Sequence, residues 1–237
     1  MKKLLSALVA LVVIVGVFMA ALPTILHKAG LHPEYTGPTT TLPGKRALII
    51  TTSHDVLAAP GETEGPATGV MASEFTHPYY TFLDGGMEVD IASIQGGEIP
   101  IDPQTLQYMI RSPEDDRYLD DAIAQAKVKN SIPIADVDID QYDIVFISGG
   151  WGAAYDLAQS PVLAATVSES FYGDKAAVIG GVCHGVLGLV NARASDGSLL
   201  IAGRRMTGVT DKQIKELGIE LTPLHPETEL RKAGVVF

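Results

Sequence analysis

The chain contains one cysteine, and its neighbours are those of a nucleophile rather than of a packing residue. Cys183 lies in Gly181-Val182-Cys183-His184-Gly185, directly after the apolar run 176–182 and before the helix-like run 186–192. Strand, tight turn and helix in that order form a cysteine version of the G-x-S-x-G nucleophile elbow. Glycines are needed on both sides because the reactive residue sits on a strained turn where side chains would clash. Such a turn lifts the sulfur above the carboxyl edge of a sheet. It also brings the sulfur to a helix N-terminus, whose partial positive charge favours thiolate, so a pKa below the free value of ~8.5 is expected. The competing reading is an inert thiol at the end of a Gly-rich strand. With a single Cys, no internal disulfide can form.

Two further segments can serve such a thiol. Gly149-Gly150-Trp151-Gly152 follows the apolar run 143–148, and backbone N–H groups in a turn of this kind can face an oxyanion. Glu74 belongs to a segment of helical spacing, 72–83, in the company of Phe75, Tyr79 and Tyr80. A glutamate on a helix is ordinarily solvated surface charge, but these aromatic neighbours point to an interior or cleft-facing helix, where a carboxylate needs a purpose. His54, His77, His184 and His225 show no paired ligand spacing on one helix, so no metal is expected. The glycine turns lack the spacing of a pyrophosphate loop, so no nucleotide cofactor is expected either.

The elements that must hold these residues are strands at 46–52, 88–93, 143–148 and 176–182, with helical spacing at 72–83, 118–129 and 226–233. Continuous apolar strands alternating with helices imply an α/β domain built on a parallel sheet covered on both faces. At 237 residues and 46% hydrophobic content the chain can bury a full core. A formal charge of −11 and a pI near 4.9 argue against nucleic acid as a partner. Lys2 and Lys3 precede an uncharged stretch from 4 to 26, long enough at ~1.5 Å per residue to cross a ~30 Å hydrocarbon layer. Residues 1–31 are read as a membrane anchor with the domain on the extracytoplasmic side, the alternative being secretion after signal cleavage near Ala20 or Ala21. Residues 32–45, rich in Pro, Gly and Thr, read as a linker, and 46–237 as the catalytic domain. The final residues 235–237 read as the opening of a strand, which makes the domain look truncated at its C-terminus.

Taken as a set, Glu74 with His77-Pro78-Tyr79-Tyr80, Gly149-Gly150 and Val182-Cys183-His184-Gly185 resemble the ThiJ/PfpI superfamily, the DJ-one group, itself related to class I glutamine amidotransferase domains. Ile101-Asp102-Pro103, Tyr142-Asp143, Tyr155-Asp156-Leu157, residues 203–210 and residues 229–234 are similar to its heat-shock chaperone and glyoxalase branch. The resemblance implies a flavodoxin-like, amidotransferase-like parallel-sheet sandwich. Cys183 would be the nucleophile, His184 a proton-transfer group, and Glu74 an acid/base or hydrogen-bond partner of the sulfur. The backbone N–H groups of Gly150 and His184 would form the oxyanion hole. In that branch an acid orients the histidine; the matching position here is Ile214, leaving Asp211 or Glu216 as the substitute if the local helix is shifted. Trp151 stands where the branch often has His. The implied activity is that of a cofactor-free glyoxalase III-type hydratase taking small reactive carbonyls, methylglyoxal to lactate, with room for a homodimer. The alternatives are a stress-related holdase or thiol redox sensor, and an amidotransferase-like hydrolase with His225 as its distant histidine.

Overall fold

The computed structural model describes residues 2–33 and 35–237. Met1, where the anchor assignment begins, and Glu34, inside the linker assignment, lie outside the described residues. Five parallel strands form one sheet: β1 (Arg46–Thr51), β2 (Glu88–Ser93), β3 (Ile132–Pro133), β4 (Ile144–Ile147) and β5 (Val178–Gly181), in the order β3-β2-β1-β4-β5. β1 is central, and Ala47, Leu48, Ile49 and Ile50 are all fully buried. Its side chains alternate between two cores, as the period of a strand requires. Ala47 and Ile49 join Phe75, Tyr79 and Tyr80 of α2 (Ala72–Asp84), Tyr118 of α3 (Pro113–Asp120), and Ala124 and Val128 of α4 (Ala122–Lys129). Leu48 and Ile50 join Leu163 and Val167 of α6 (Pro161–Tyr172), Leu230 of α8 (Pro226–Lys232) and the segment that follows Cys183. Two short helices, α5 (Ala153–Asp156) and α7 (Asp211–Glu216), complete the domain.

Three expectations change. The helical run 118–129 is two helices, because Asp121 ends α3 and caps α4, its carboxylate accepting from the N–H groups of Ile123 and Ala124. The segment after the nucleophile, Cys183–Leu189, is 3₁₀-helical rather than α-helical. Residues 235–237 form no strand; Val236 makes an isolated parallel bridge to Arg205. Ahead of the domain, α1 (Lys2–Lys28) has no buried residue, and by length and composition it is apolar enough to cross a membrane.

Candidate active site

The elbow is built by backbone geometry. Val182 is extended, with φ −129° and ψ 148°, and the Gly185 N–H closes the turn by donating to the Val182 carbonyl at 2.7 Å. Cys183 then takes φ +55°, the only non-glycine positive φ among the described residues. That is a left-handed conformation in which a side chain costs ~1–2 kcal/mol, a signature of a residue held for use. A Cβ on Gly185 would lie 2.2 Å from the carbonyl oxygen of Ile147 in β4, so only glycine lets the turn sit on the sheet edge. Gly185→Ala should therefore lower unfolding stability by ~2–3 kcal/mol, read as an earlier urea midpoint at unchanged slope.

Glu74 enters from the opposite layer. It lies in the first turn of α2, and the Ser148 hydroxyl after β4 donates to its carbonyl at 3.0 Å. The residue as a whole is half-buried, but its carboxyl end is enclosed and Oε2 is buried without a regular hydrogen-bond partner. A Cβ on Gly149 would fall 2.5 Å from Oε2 and 2.9 Å from Cys183 Cβ, so the missing side chain leaves the gap through which carboxyl and thiol meet. Burial pushes the Glu74 carboxyl up from 4.5 to about 7, and the facing Cys183 thiol and N–H groups of Gly150 and Gly149 offset this only in part. The turn is pinned from behind: half-buried Asp156 of α5 accepts from Thr52 Oγ1 at 2.9 Å and from the Ser53 N–H at 2.8 Å.

The expected depression of the thiol does not hold. Burial, and after it the Glu74 carboxylate, push Cys183 up, outweighing the facing N–H groups of His184 and Gly150, which favour thiolate. The helix-terminus argument fails because a short 3₁₀ segment supplies little macrodipole. Thiol and carboxyl are instead coupled: once Glu74 ionises, its charge makes the thiol proton harder to remove. The two N–H groups that face the sulfur are the pair assigned to the oxyanion hole.

His184 is fully buried, with Nδ1 3.3 Å from Cys183 Sγ. Burial, and next the nearby His225, bring it down from 6.5 to about 4, so it is neutral at neutral pH. Protonating it opposes the native fold, and this stability is lost as pH falls from 6.5 toward 4. Asp211 does not orient it. That residue is exposed at the start of α7, its N–H donates to Glu227 and its carboxylate accepts from Thr228 at 2.8 Å. Ile214 is buried apolar core on the same helix. His225, read from sequence as a loop residue and as the distant histidine of the amidotransferase alternative, lies near His184 rather than on the sulfur. Among the described residues, no three or more His, Cys, Asp or Glu side chains gather as a metal site.

An elbow cysteine, an enclosed glutamate and a glycine turn between them narrow the ancestry, and a sequence profile decides it: that of the DJ-1/PfpI family matches residues 66–221, more than half of the chain. The chain belongs to the DJ-1/PfpI family. Among DJ-1/PfpI proteins, Glyoxalase 3 of Candida albicans is 31% identical over 160 residues, covering 66% of this chain and 66% of the Candida protein, just under two thirds of its length. The glutathione-independent glyoxalase HSP31 of Saccharomyces cerevisiae is 30% identical over 184 residues, covering 75% of this chain and 73% of its own. The crystal structure of the Rapid Encystment Protein 24 kDa of Francisella tularensis superimposes with a TM-score of 0.73 and 35% identity, covering 81% of this chain and 82% of that one.

Proposed function

We propose that the domain is a glutathione-independent glyoxalase of the glyoxalase III type, converting methylglyoxal and similar 2-oxoaldehydes to 2-hydroxy acids. The observation that carries this is the enclosed Glu74 carboxyl, its pKa raised to about 7 against the Cys183 thiol, with His184 Nδ1 3.3 Å from the sulfur. Reaction at an aldehyde needs a sulfur nucleophile and a group that can both give and take a proton at neutral pH. The Cys183 sulfur adds to the aldehyde carbon, and the N–H groups of Gly150 and His184 stabilise the developing oxyanion until it is protonated to a hemithioacetal. A carboxylate at Glu74 then removes the hydrogen on that carbon, and the resulting enediol is reprotonated on the adjacent carbon to give a lactoyl thioester. Water cleaves the thioester, releasing lactate and the thiol. Each proton removed is returned, so no external reductant or oxidant enters. The two relatives named as glyoxalases support the reading.

The test is a time course of purified domain with methylglyoxal and no added glutathione. Lactate should accumulate catalytically, and prior alkylation with iodoacetamide should stop it. Lactate below one equivalent per chain sinks the proposal. The missing carboxylate partner of His184 favours a second reading, a holdase or thiol sensor; suppression of client aggregation that survives alkylation would support the holdase. An amidotransferase-like hydrolase is disfavoured because His184, not the distant His225, contacts the sulfur.

We further propose that α1 anchors the chain in a membrane, with residues 32–45 as linker and the domain from residue 46 on the extracytoplasmic side. Lys2 and Lys3 ahead of the apolar stretch support this orientation. Protease added to spheroplasts should digest the domain. An N-terminus after Ala20 or Ala21 would make the protein secreted instead, and recovery in the cytosol would refute export.

A further inference from the structure

The apolar helix α1 is not a free tether; its C-terminal end is fastened to the domain. Every side chain from Lys2 to Ala20 is exposed, and partial burial sets in at Ala21, Leu22 and Pro23 and returns at Leu26 and His27. Three contacts make the junction. The Tyr108 hydroxyl donates to the Ala20 carbonyl at 3.3 Å. His32, in the turn after α1, donates from Nε2 to the Ile110 carbonyl at 2.7 Å. Its ring also meets that of His77 in α2 edge-on, with centroids 5.8 Å apart. Pro23 lacks the N–H that would serve the Met19 carbonyl, so α1 is loosened at the turn that Tyr108 reaches.

Beside this junction the domain exposes large apolar side chains. Tyr108 is 54% exposed and Ile110 39%, and Leu31, next to His32, is 45% exposed. The segment 102–111 that carries the first two is a run of turns, with Thr105 N–H donating to the Asp102 carbonyl and those of Ile110 and Arg111 to Gln107. A backbone that serves its own polar groups in this way can enter a medium without water. Arg111 lies over the Tyr108 ring, 5.5 Å from its centroid, and Lys28 ends α1, so cations flank the apolar side chains. Arginine and lysine at the edge of an apolar face, with an aromatic ring among them, are the composition of a membrane boundary. The segment is also tied to the active site: Ala72 N–H, at the start of the helix that carries Glu74, donates to Thr105 Oγ1 at 3.1 Å.

We propose that residues 104–111, with Tyr108 and Ile110 foremost, form a lipid-docking face that seats the domain on the bilayer crossed by α1. This deepens the anchor reading and rests on it. The exposed part of α1, residues 2–20, extends for about 28 Å at a rise of ~1.5 Å per residue, which matches a hydrocarbon layer of ~30 Å. The outer boundary of that layer then falls at Ala20, and the side chain bonded to Ala20 lies at the same depth. Tyrosine suits it, with an apolar ring and a hydroxyl that needs a polar partner. The attraction is apolar rather than coulombic, because a chain of formal charge −11 is repelled by anionic lipid. The domain therefore holds one orientation on the membrane, with the first turn of α2 close to the lipid surface.

Nitroxide labels on single cysteines read depth, since oxygen concentrates in lipid and a nickel chelate stays in water. The full chain carrying Cys183→Ala, in phosphatidylcholine vesicles, is labelled through Gln107→Cys, through Val12→Cys within α1, or through Leu217→Cys just after α7; all three positions are exposed. The oxygen-to-nickel collision ratio at Gln107 should be severalfold above that at Leu217 and below that at Val12. Adding Tyr108→Asp and Ile110→Asp should bring Gln107 down to the Leu217 value while Val12 stays deep. Gln107 as wet as Leu217 beside a deep Val12 overturns the docking face and leaves the anchor standing, with no need of the aspartate variants. A wet Val12 overturns the anchor and the face with it. Gln107 still shielded in the presence of both aspartates shows that the apolar side chains do not hold the face down, which overturns the proposal as well.

Discussion

Replacing Cys183 by Ala should reduce lactate formation from methylglyoxal by at least ~10⁴-fold, below detection in a conventional assay. The expectation is this large because no second nucleophile is at hand: the chain has one cysteine, and His184 Nδ1 is turned to the sulfur rather than into open space. The oxyanion N–H groups and Glu74 survive the substitution, but without a covalent adduct they have no bound carbonyl to act on. The fold should survive as well, because Ala at φ +55° carries the same backbone strain that Cys already carries. Initial rates of lactate formation together with a urea midpoint separate lost chemistry from lost structure. Turnover within tenfold of the unaltered protein would show that Cys183 is not the nucleophile.

Glu74→Gln should depress turnover by ~10²–10⁴-fold, the ordinary worth of a general acid/base, while leaving Cys183 open to alkylation. Glutamine keeps a hydrogen-bond donor beside the sulfur but cannot accept and return a proton. Glu74→Ala should impair alkylation as well, because the sulfur then loses its enclosed neighbour. Stability should change in the opposite direction, with a definite pH dependence. The folded carboxyl is raised to about 7 from 4.5, so the native state holds the proton more tightly than the unfolded chain. The penalty for ionising it is absent below 4.5, grows between 4.5 and about 7, and is complete above that. Glutamine removes this penalty, so Glu74→Gln should stabilise the domain by ~2–3 kcal/mol at pH 8 and hardly at all at pH 4. Equal urea midpoints at pH 8 would mean the carboxyl is solvated and would remove it from the site.

β1 was legible in the sequence because both its faces are buried from Ala47 onward, which writes a continuous apolar run, whereas β2 showed as an alternation, with Val89 and Ile91 buried between exposed Glu88 and half-buried Asp90. β3 was not, since a two-residue strand ending in Pro133 has no period to detect. The break at Asp121 escaped because one side chain both follows α3 and caps α4, so helical spacing continues across a change of axis. In the site, Cys183, His184 and Gly149–Gly150 announced themselves through local backbone demands. Glu74 stood out by its aromatic neighbours and by family resemblance. His225 stood out only as the one histidine downstream of the elbow. Its nearness to His184 arises only once α8 folds onto the elbow, and the proline beside it reads locally as loop.

The two cores on either side of β1 have a mechanical consequence. The sulfur is carried by a segment anchored through Val186, Leu187 and Leu189 in one layer, and the carboxyl by a helix anchored through Phe75, Tyr79 and Tyr80 in the other. The ends of β1 and β4 lie between the two layers, and the Gly149–Gly152 turn ties them to the start of α2 through Ser148 and Gly152, so the sheet edge sets the spacing of the reacting pair. Thinning either layer by one methyl group would tilt its passenger relative to the other long before the domain comes apart. Heat should act in the same way, and catalysis should fade along a shallower curve, at lower temperature, than the cooperative melting of the sheet.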